Sequence, residues 1–296
     1  MAAGTTTVQG VKLGLFGINM GALGQDPQRA VEVARAAESA GWESVWTGEH
    51  FALPDPAVPG SPVPPDTAIL EPFVALATIA AQTTTLLLGT GVTVLPLYQP
   101  LALAKQVASL DRVSGGRVLF GIGAGYFVPE FAAFGIPLDS RGSRTDEMLD
   151  ALPALWTQQT PTIAFQGRTI SGLRAQPRPA NPAGPPLHIG GHGAAAARRA
   201  HTHGTGWYGW SMSPDKAAAA ISRLREAQDR YERPANLGEL EISITPPHRM
   251  PLDAELVARY AELGVSRLIV LAPGESHEHQ DELLDFVASA PQRLLA

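Results

Sequence analysis

Gly115-Gly-Arg-Val-Leu-Phe-Gly-Ile-Gly-Ala-Gly-Tyr126 opens with a turn dipeptide, runs through a short apolar strand at 118–120 and ends in a loop with glycine at 121, 123 and 125. A buried strand feeding a glycine-rich loop is how α/β proteins bring bare backbone close to a phosphate or a flat ring. A backbone cradle for a cofactor phosphate is the leading reading, with a purely structural turn beside it. The spacing is not that of a dinucleotide fingerprint. The third glycine of G-x-G-x-x-G would stand at 126, which is Tyr126, and Pro129 stands where the next helix should begin. The fold must therefore be read from the elements on either side.

Upstream, 11–17 reads as a first strand. Asp26-Pro27 is a helix start and Gly41 a helix stop. Residues 43–47 form a second strand that runs into Gly48-Glu49-His50. The proline-dense stretch 53–67 is a long loop, and such loops are usually functional or mobile. A helix over 69–83 leads to a third strand at 86–94, interrupted by Gly89 and Gly91. In the helix over 99–114, Leu103, Val107, Leu110 and Val113 recur at three and four. Downstream, 126–140 reads as a long loop, 145–156 as a helix, and 162–170 as a hairpin turning at Gln166-Gly167. Strands at 187–189, 206–210, 240–244 and 266–271 then alternate with helices at 194–203, 214–231, 251–263 and 278–295.

Eight strands alternating with eight helices imply a parallel sheet with crossover helices. Eight such units match a (β/α)8 TIM barrel, whereas a doubly wound sheet usually has fewer. Residues 157–186 break the rhythm. They read as an insertion between units four and five of a single domain spanning 1–296.

Composition narrows the function. A net charge of −6 argues against nucleic acid or an anionic membrane as partner. The absence of cysteine excludes disulfides, thiolate metal sites and cysteine nucleophiles. Residues 1–9 lack a basic start and an apolar run, and no window reaches a membrane-spanning length, so a cytoplasmic protein is expected. His201-x-His203 and His277-x-His279 lie in or beside helices, where positions i and i+2 diverge, so no metal site is expected. No G-x-S-x-G elbow signals a serine hydrolase.

In a barrel, chemistry sits at the C-terminal ends of the strands. Glycine stands at nearly every such end here, which suggests a broad flat ligand across the mouth. Glu49 and His50 end strand two, and histidine suits proton transfer because it titrates near working pH. Gly89 admits two readings, a bend or a close approach by a ligand. Gly190-Gly191-His192-Gly193 precedes a helix, whose bare amides favour an anion, though a tight turn explains it as well. Arg141, Arg144, Arg174 and Arg178 lie near the mouth, either to pair with an anion or to serve the protein's own surface.

Four segments, taken together, resemble the bacterial luciferase-like monooxygenase superfamily, in particular its coenzyme F420-dependent oxidoreductases. They are Ala40-Gly-Trp-Glu-Ser-Val-Trp-Thr-Gly-Glu-His-Phe51, 88–97, 110–126 and Pro186-Leu-His-Ile-Gly-Gly-His192. The resemblance covers nearly the whole chain and implies a barrel with an insertion after its fourth unit. It implies a non-proline cis peptide at Gly91-Val92, with Thr90, Gly91 and Val92 beneath the cofactor ring. It matches Glu49 and His50 to the acidic residue and histidine near the ring, with Glu where Asp is commoner. His50 would then donate or accept a proton, and Glu49 would orient it or touch the ring. Gly123, Ala124, Gly125, Gly190, Gly191 and His192 would approach the cofactor tail. The implied activity is hydride transfer between a deazaflavin and a small organic substrate. The same barrel also supports a two-component FMN-dependent monooxygenase or a non-catalytic flavin-binding protein. A homodimer is the implied assembly.

Overall fold

Asp26 illustrates how this chain turns from strand to helix. Its carboxylate accepts from the backbone N–H of Gln28 and of Arg29, both at 3.1 Å, Pro27 takes the first helical position, and Gly41 ends the helix at φ 90°. A cap, a proline and a left-handed glycine satisfy or remove the backbone groups that a helix leaves unpaired. The computed structural model describes residues 10–248, 250–271 and 280–295. Its strands are β1 Lys12–Phe16, β2 Ser44–Thr47, β3 Leu87–Thr90, β4 Thr93–Val94, β5 Val118–Gly123, β6 Ile163–Phe165, β7 Arg168–Ile170, β8 Leu187–Gly190, β9 Gly206–Gly209, β10 Glu241–Ile244 and β11 Arg267–Leu271. Its helices are α1 Ala22–Gln25, α2 Pro27–Ala40, α3 Pro72–Ala80, α4 Pro100–Ser114, α5 Val128–Ala133, α6 Arg141–Thr157, α7 Ala194–His203, α8 Pro214–Arg230, α9 Ala254–Glu262 and α10 Gln280–Leu294.

The barrel sheet runs in the order β3-β2-β1-β11-β10-β9-β8-β5, and β3 pairs with β5 to close it. Every pairing in it is parallel. This is a (β/α)8 barrel, as the alternation of elements predicts. β6 and β7 form a separate antiparallel hairpin. Gln166 and Gly167 at its turn have φ of 51° and 69°, the two left-handed residues that a tight hairpin requires.

Two features depart from expectation. The third strand is two pieces, β3 and β4, separated by Gly91-Val92. The stretch 126–140 is not all loop, because it carries α5. Pro129 lies in the first turn of α5, where its missing N–H has no partner to lose. Proline there starts the helix rather than preventing it.

Glycines inside the barrel make room for large side chains. A Cβ on Gly89 would lie 2.3 Å from the indole of Trp46, and one on Gly14 would lie 2.8 Å from it. A Cβ on Gly206 would lie 2.5 Å from the His188 ring. Neither sequence reading of Gly89 foresaw this, since a neighbouring strand's side chain takes the space. At the floor, Arg267 is only 1% exposed. It donates to Glu43 at 2.5 and 2.7 Å, to Glu241 at 2.9 and 3.1 Å and to Ser243 at 2.9 Å. Burial works against the Glu241 charge, but Arg267 outweighs it and holds the carboxyl down to about 2. Trp46 and Tyr208 pack above this cluster with ring centroids 5.5 Å apart. The interior is therefore solid, and chemistry is left to the mouth.

Candidate active site

At the end of β3 the peptide bond Gly91-Val92 is cis. The Thr90 hydroxyl donates to the Gly121 carbonyl at 2.6 Å, tying this segment to β5. A Cβ on Gly121 would lie 1.8 Å from the Thr90 carbonyl oxygen. One on Gly123 would lie 2.7 Å from the Val92 side chain, and one on Gly190 would lie 3.0 Å from it. Gly125, at φ 74°, has Val94 at 2.6 Å and Phe131 at 2.8 Å in the same sense. The missing side chains of the opening glycine loop thus admit the protein's own β3–β4 segment. Gly91, Val92, Ala124, Gly125, Gly190, Gly191 and His192 reach the surface of the mouth, while Thr90 and Gly123 lie beneath it.

Asn19 pins the end of β2. Its side chain accepts from the Gly48 N–H at 2.9 Å and donates to the Gly48 carbonyl at 2.9 Å and the Leu70 carbonyl at 2.6 Å. Beyond it, Glu49 and His50 have different partners. Glu49, 7% exposed, accepts from the Val94 N–H at 2.5 Å and from the Tyr98 hydroxyl at 2.6 Å. Burial pushes its carboxyl up to about 7, against the pull of those two donors. His50 meets Glu130 instead, with Nδ1 2.8 Å from a carboxylate oxygen. The other oxygen of Glu130 accepts from the Phe51 N–H at 2.6 Å. The edges of Tyr126 and Phe127 flank the imidazole at centroid distances of 6.3 and 5.8 Å. Nε2 of His50 has no partner among the described residues, so it is the atom that can exchange a proton. Glu49, expected to orient His50 or to touch the cofactor ring, bonds Val94 and Tyr98, and the carboxylate that bonds His50 is Glu130.

Sequence reading missed Glu130, although a signal for it exists. Phe127, Glu130, Phe131 and Phe134 follow a spacing of three, one and three, and a carboxylate on such an apolar helix face needs a partner.

Across the mouth, α7 starts at Gly193 without a side-chain cap. Nε2 of His192 accepts from the Trp210 N–H at 3.3 Å, and Arg223 donates to the His192 carbonyl at 3.4 Å. Partial burial, then the charges of Arg223 and Lys216, hold the His192 imidazole below its usual range. This corner is positive in a negatively charged chain. A Cβ on Gly193 or on Gly17 would meet nothing within 4 Å, so both face open space.

Three of the four arginines expected near the mouth serve the protein's own backbone, and Arg178 lies away from the mouth, beside the C-terminal ends of α4 and α6. Arg141 donates to Leu138, Arg144 to Pro96, and Arg178 to Trp156 and Gln158. His201 bonds the Tyr231 carbonyl while His203 faces Asp150; His277 and His279 lie outside the described residues. Among the described residues no group of three or more His, Cys, Asp or Glu could hold a metal ion, and no helix is long and apolar enough to cross a membrane.

Comparison with known proteins bears on this mouth. An uncharacterized protein of Mycobacterium tuberculosis is 29% identical over 248 residues, spanning 81% of this chain and 83% of that protein. The 4-hydroxyprotoasukamycin monooxygenase of Streptomyces nodosus subsp. asukaensis is 34% identical over 185 residues, spanning 60% of this chain and 47% of the enzyme. An F420-dependent secondary alcohol dehydrogenase, solved with an F420-acetone adduct, has the same fold. It aligns with a TM-score of 0.74 at 17% identity, over 95% of this chain and 99% of that one. The model of the luciferase-like monooxygenase family matches residues 9–278, nearly the whole barrel with its β3–β4 segment and its mouth, and the chain belongs to that family.

Proposed function

We propose that this chain is an oxidoreductase that transfers a hydride between coenzyme F420 and an organic substrate, with His50 as the proton donor or acceptor. The observation that carries the reading is His50 itself. It stands at the mouth end of β2, one oxygen of the buried Glu130 lies 2.8 Å from its Nδ1, and its Nε2 has no partner among the described residues.

The residues present fit such a cofactor. The uncapped start of α7, with Arg223 and Lys216 near His192, suits an anionic tail. The partly exposed Gly91 and Val92 suit the ring. A deazaflavin bound there would give or take a hydride at carbon. When a carbonyl is reduced, imidazolium Nε2–H passes its proton to the oxygen as that carbon becomes an alcohol carbon. In the reverse direction neutral Nε2 takes the hydroxyl proton. Phe51, Tyr126, Phe127 and Phe134 gather aromatic surface beside His50, on which a flat or apolar substrate could rest.

A second reading, an FMN-dependent monooxygenase using reduced flavin and oxygen, is favoured by the partial likeness to the Streptomyces monooxygenase. Fluorescence titration of the purified protein with F420 and with FMN separates the two. Binding of F420 is expected, and tight binding of FMN alone would overturn the first reading. His50→Ala should lower turnover by about 100-fold or more, the usual worth of a positioned acid–base group. Unchanged turnover with every accepted substrate would remove His50 from the chemistry.

A further inference from the structure

We propose that Glu130 fixes the tautomer of His50, holding the proton on Nδ1 so that Nε2 is the atom that works on substrate. The inference rests on the reading of His50 as the proton-transfer residue. It stands on three observations.

First, Glu130 is a buried carboxylate, 4% exposed, on a short helix whose neighbouring Phe127 and Phe131 are also buried. A carboxylate in such a place needs strong donors. Both of its donors come from the end of β2, His50 Nδ1 at 2.8 Å and Phe51 N–H at 2.6 Å, some 80 residues away in sequence. Its polar needs are met entirely by the segment that carries His50.

Second, a carboxylate accepts and cannot donate, so a neutral imidazole must carry its proton on the nitrogen that faces it. Glu130 faces Nδ1. Nε2 then presents a lone pair outward when neutral and an N–H when protonated, the two states that proton transfer requires.

Third, the bond to Phe51 N–H holds the backbone next to His50 with the same carboxylate that holds the ring. The two-point grip fixes where Nε2 lies as well as which nitrogen is protonated. Of the other titratable groups here, Tyr126 flanks the ring by its edge, and both oxygens of Glu49 are engaged by Val94 and Tyr98. Neither competes with Glu130 for Nδ1. Glu130 is thus a positioning residue, acting through His50.

The test is 15N NMR of histidine-labelled protein at pH 8, with the His50 signals assigned by their loss in His50→Asn. No cofactor or substrate is needed. The expected result is an Nδ1–H signature for neutral His50 in the wild type. In Glu130→Ala the ratio of Nδ1–H to Nε2–H forms should fall by about tenfold or more, the worth of a charge-assisted hydrogen bond. A wild-type spectrum with the proton on Nε2 would overturn the proposal without any variant. So would an unchanged tautomer in a folded Glu130→Ala protein. Loss of turnover in His50→Ala is a separate measurement. It can fail while the Glu130–His50 coupling stands, and the coupling can fail while the assignment of His50 stands.

Discussion

Replacing Glu49 by glutamine should leave stability level at pH 5 and raise it at pH 8. Burial lifts the Glu49 carboxyl from its ordinary 4.5 to about 7 in the fold. Between those values the folded protein holds a proton that the unfolded chain has lost, so stability falls as pH rises through the window. The penalty is complete above 7. Linkage makes it about 1 kcal/mol at pH 5 and about 3 kcal/mol at pH 8. Glutamine carries no charge and so escapes the penalty. Its carbonyl can still accept from the Val94 N–H, and its amide can donate to the Tyr98 oxygen, at a cost of about 1 kcal/mol for the exchanged bonds. The variant should therefore match the wild type at pH 5 and exceed it by about 2 kcal/mol at pH 8. Urea midpoints at both pH values, with the slope of the transition unchanged, measure the difference directly. A gap between the two proteins that is the same at both pH values would refute the reasoning, because the two donors would then be keeping Glu49 ionised despite its burial.

Gly121→Ala should lose about 3 kcal/mol or more, since overpacking against rigid backbone has little room to relax; its Cβ would fall 1.8 Å from the Thr90 carbonyl, whereas a Cβ on Gly193 meets nothing within 4 Å. Equal melting temperatures for the two alanine variants would show that β5 gives way more easily than its packing implies. Arg267→Met should lose about 3 kcal/mol at pH 7 by leaving Glu43 and Glu241 with only the half-exposed Lys12 as a cationic partner beside them. Glu241, held near 2 in the fold against an ordinary 4.5, contributes stability above 4.5 that is lost toward pH 2, so the gap to wild type should narrow in denaturation curves taken below pH 4.5. A gap of constant width would exclude these carboxylates as its source.

The barrel was legible because its signals are local. Asp26-Pro27 and Gly41 bound α2, Gln166-Gly167 turns the hairpin, and apolar runs of strand length recur between helices at a steady interval. Short-range rules suffice for such features. The glycines were less legible. Gly14, Gly89 and Gly206 leave room for Trp46 and His188, and that pairing depends on strand register and on the direction of side chains into a closed barrel. The role of Glu130 was hard to read for a related reason. Its partners lie 79 and 80 residues away, and the helix that carries it opens with a proline that reads as a break when the first-turn position is not recognised. The cis peptide at Gly91-Val92 came from family resemblance, since nothing in the spacing of the residues specifies it.

Glu49 and His50 follow one another in the segment just beyond β2, and their hydrogen bonds run to different elements. Glu49 turns to Val94, two residues beyond the cis bond, and to Tyr98. His50 turns to α5. What reads in sequence as one acidic residue with its histidine is therefore two systems back to back. One secures the flank of the β3–β4 segment and the other holds the His50 ring and the Phe51 backbone. They still communicate through charge. Burial is the chief reason that Glu49 resists ionising, and the negative charges of Glu71 and then of Glu130 add to it. The carboxylate that grips His50 thus also helps keep its neighbour protonated. A barrel with a filled interior has only its strand ends for chemistry. In this one, Glu130 of α5 bonds His50 directly and joins Glu71 in acting on Glu49 through charge.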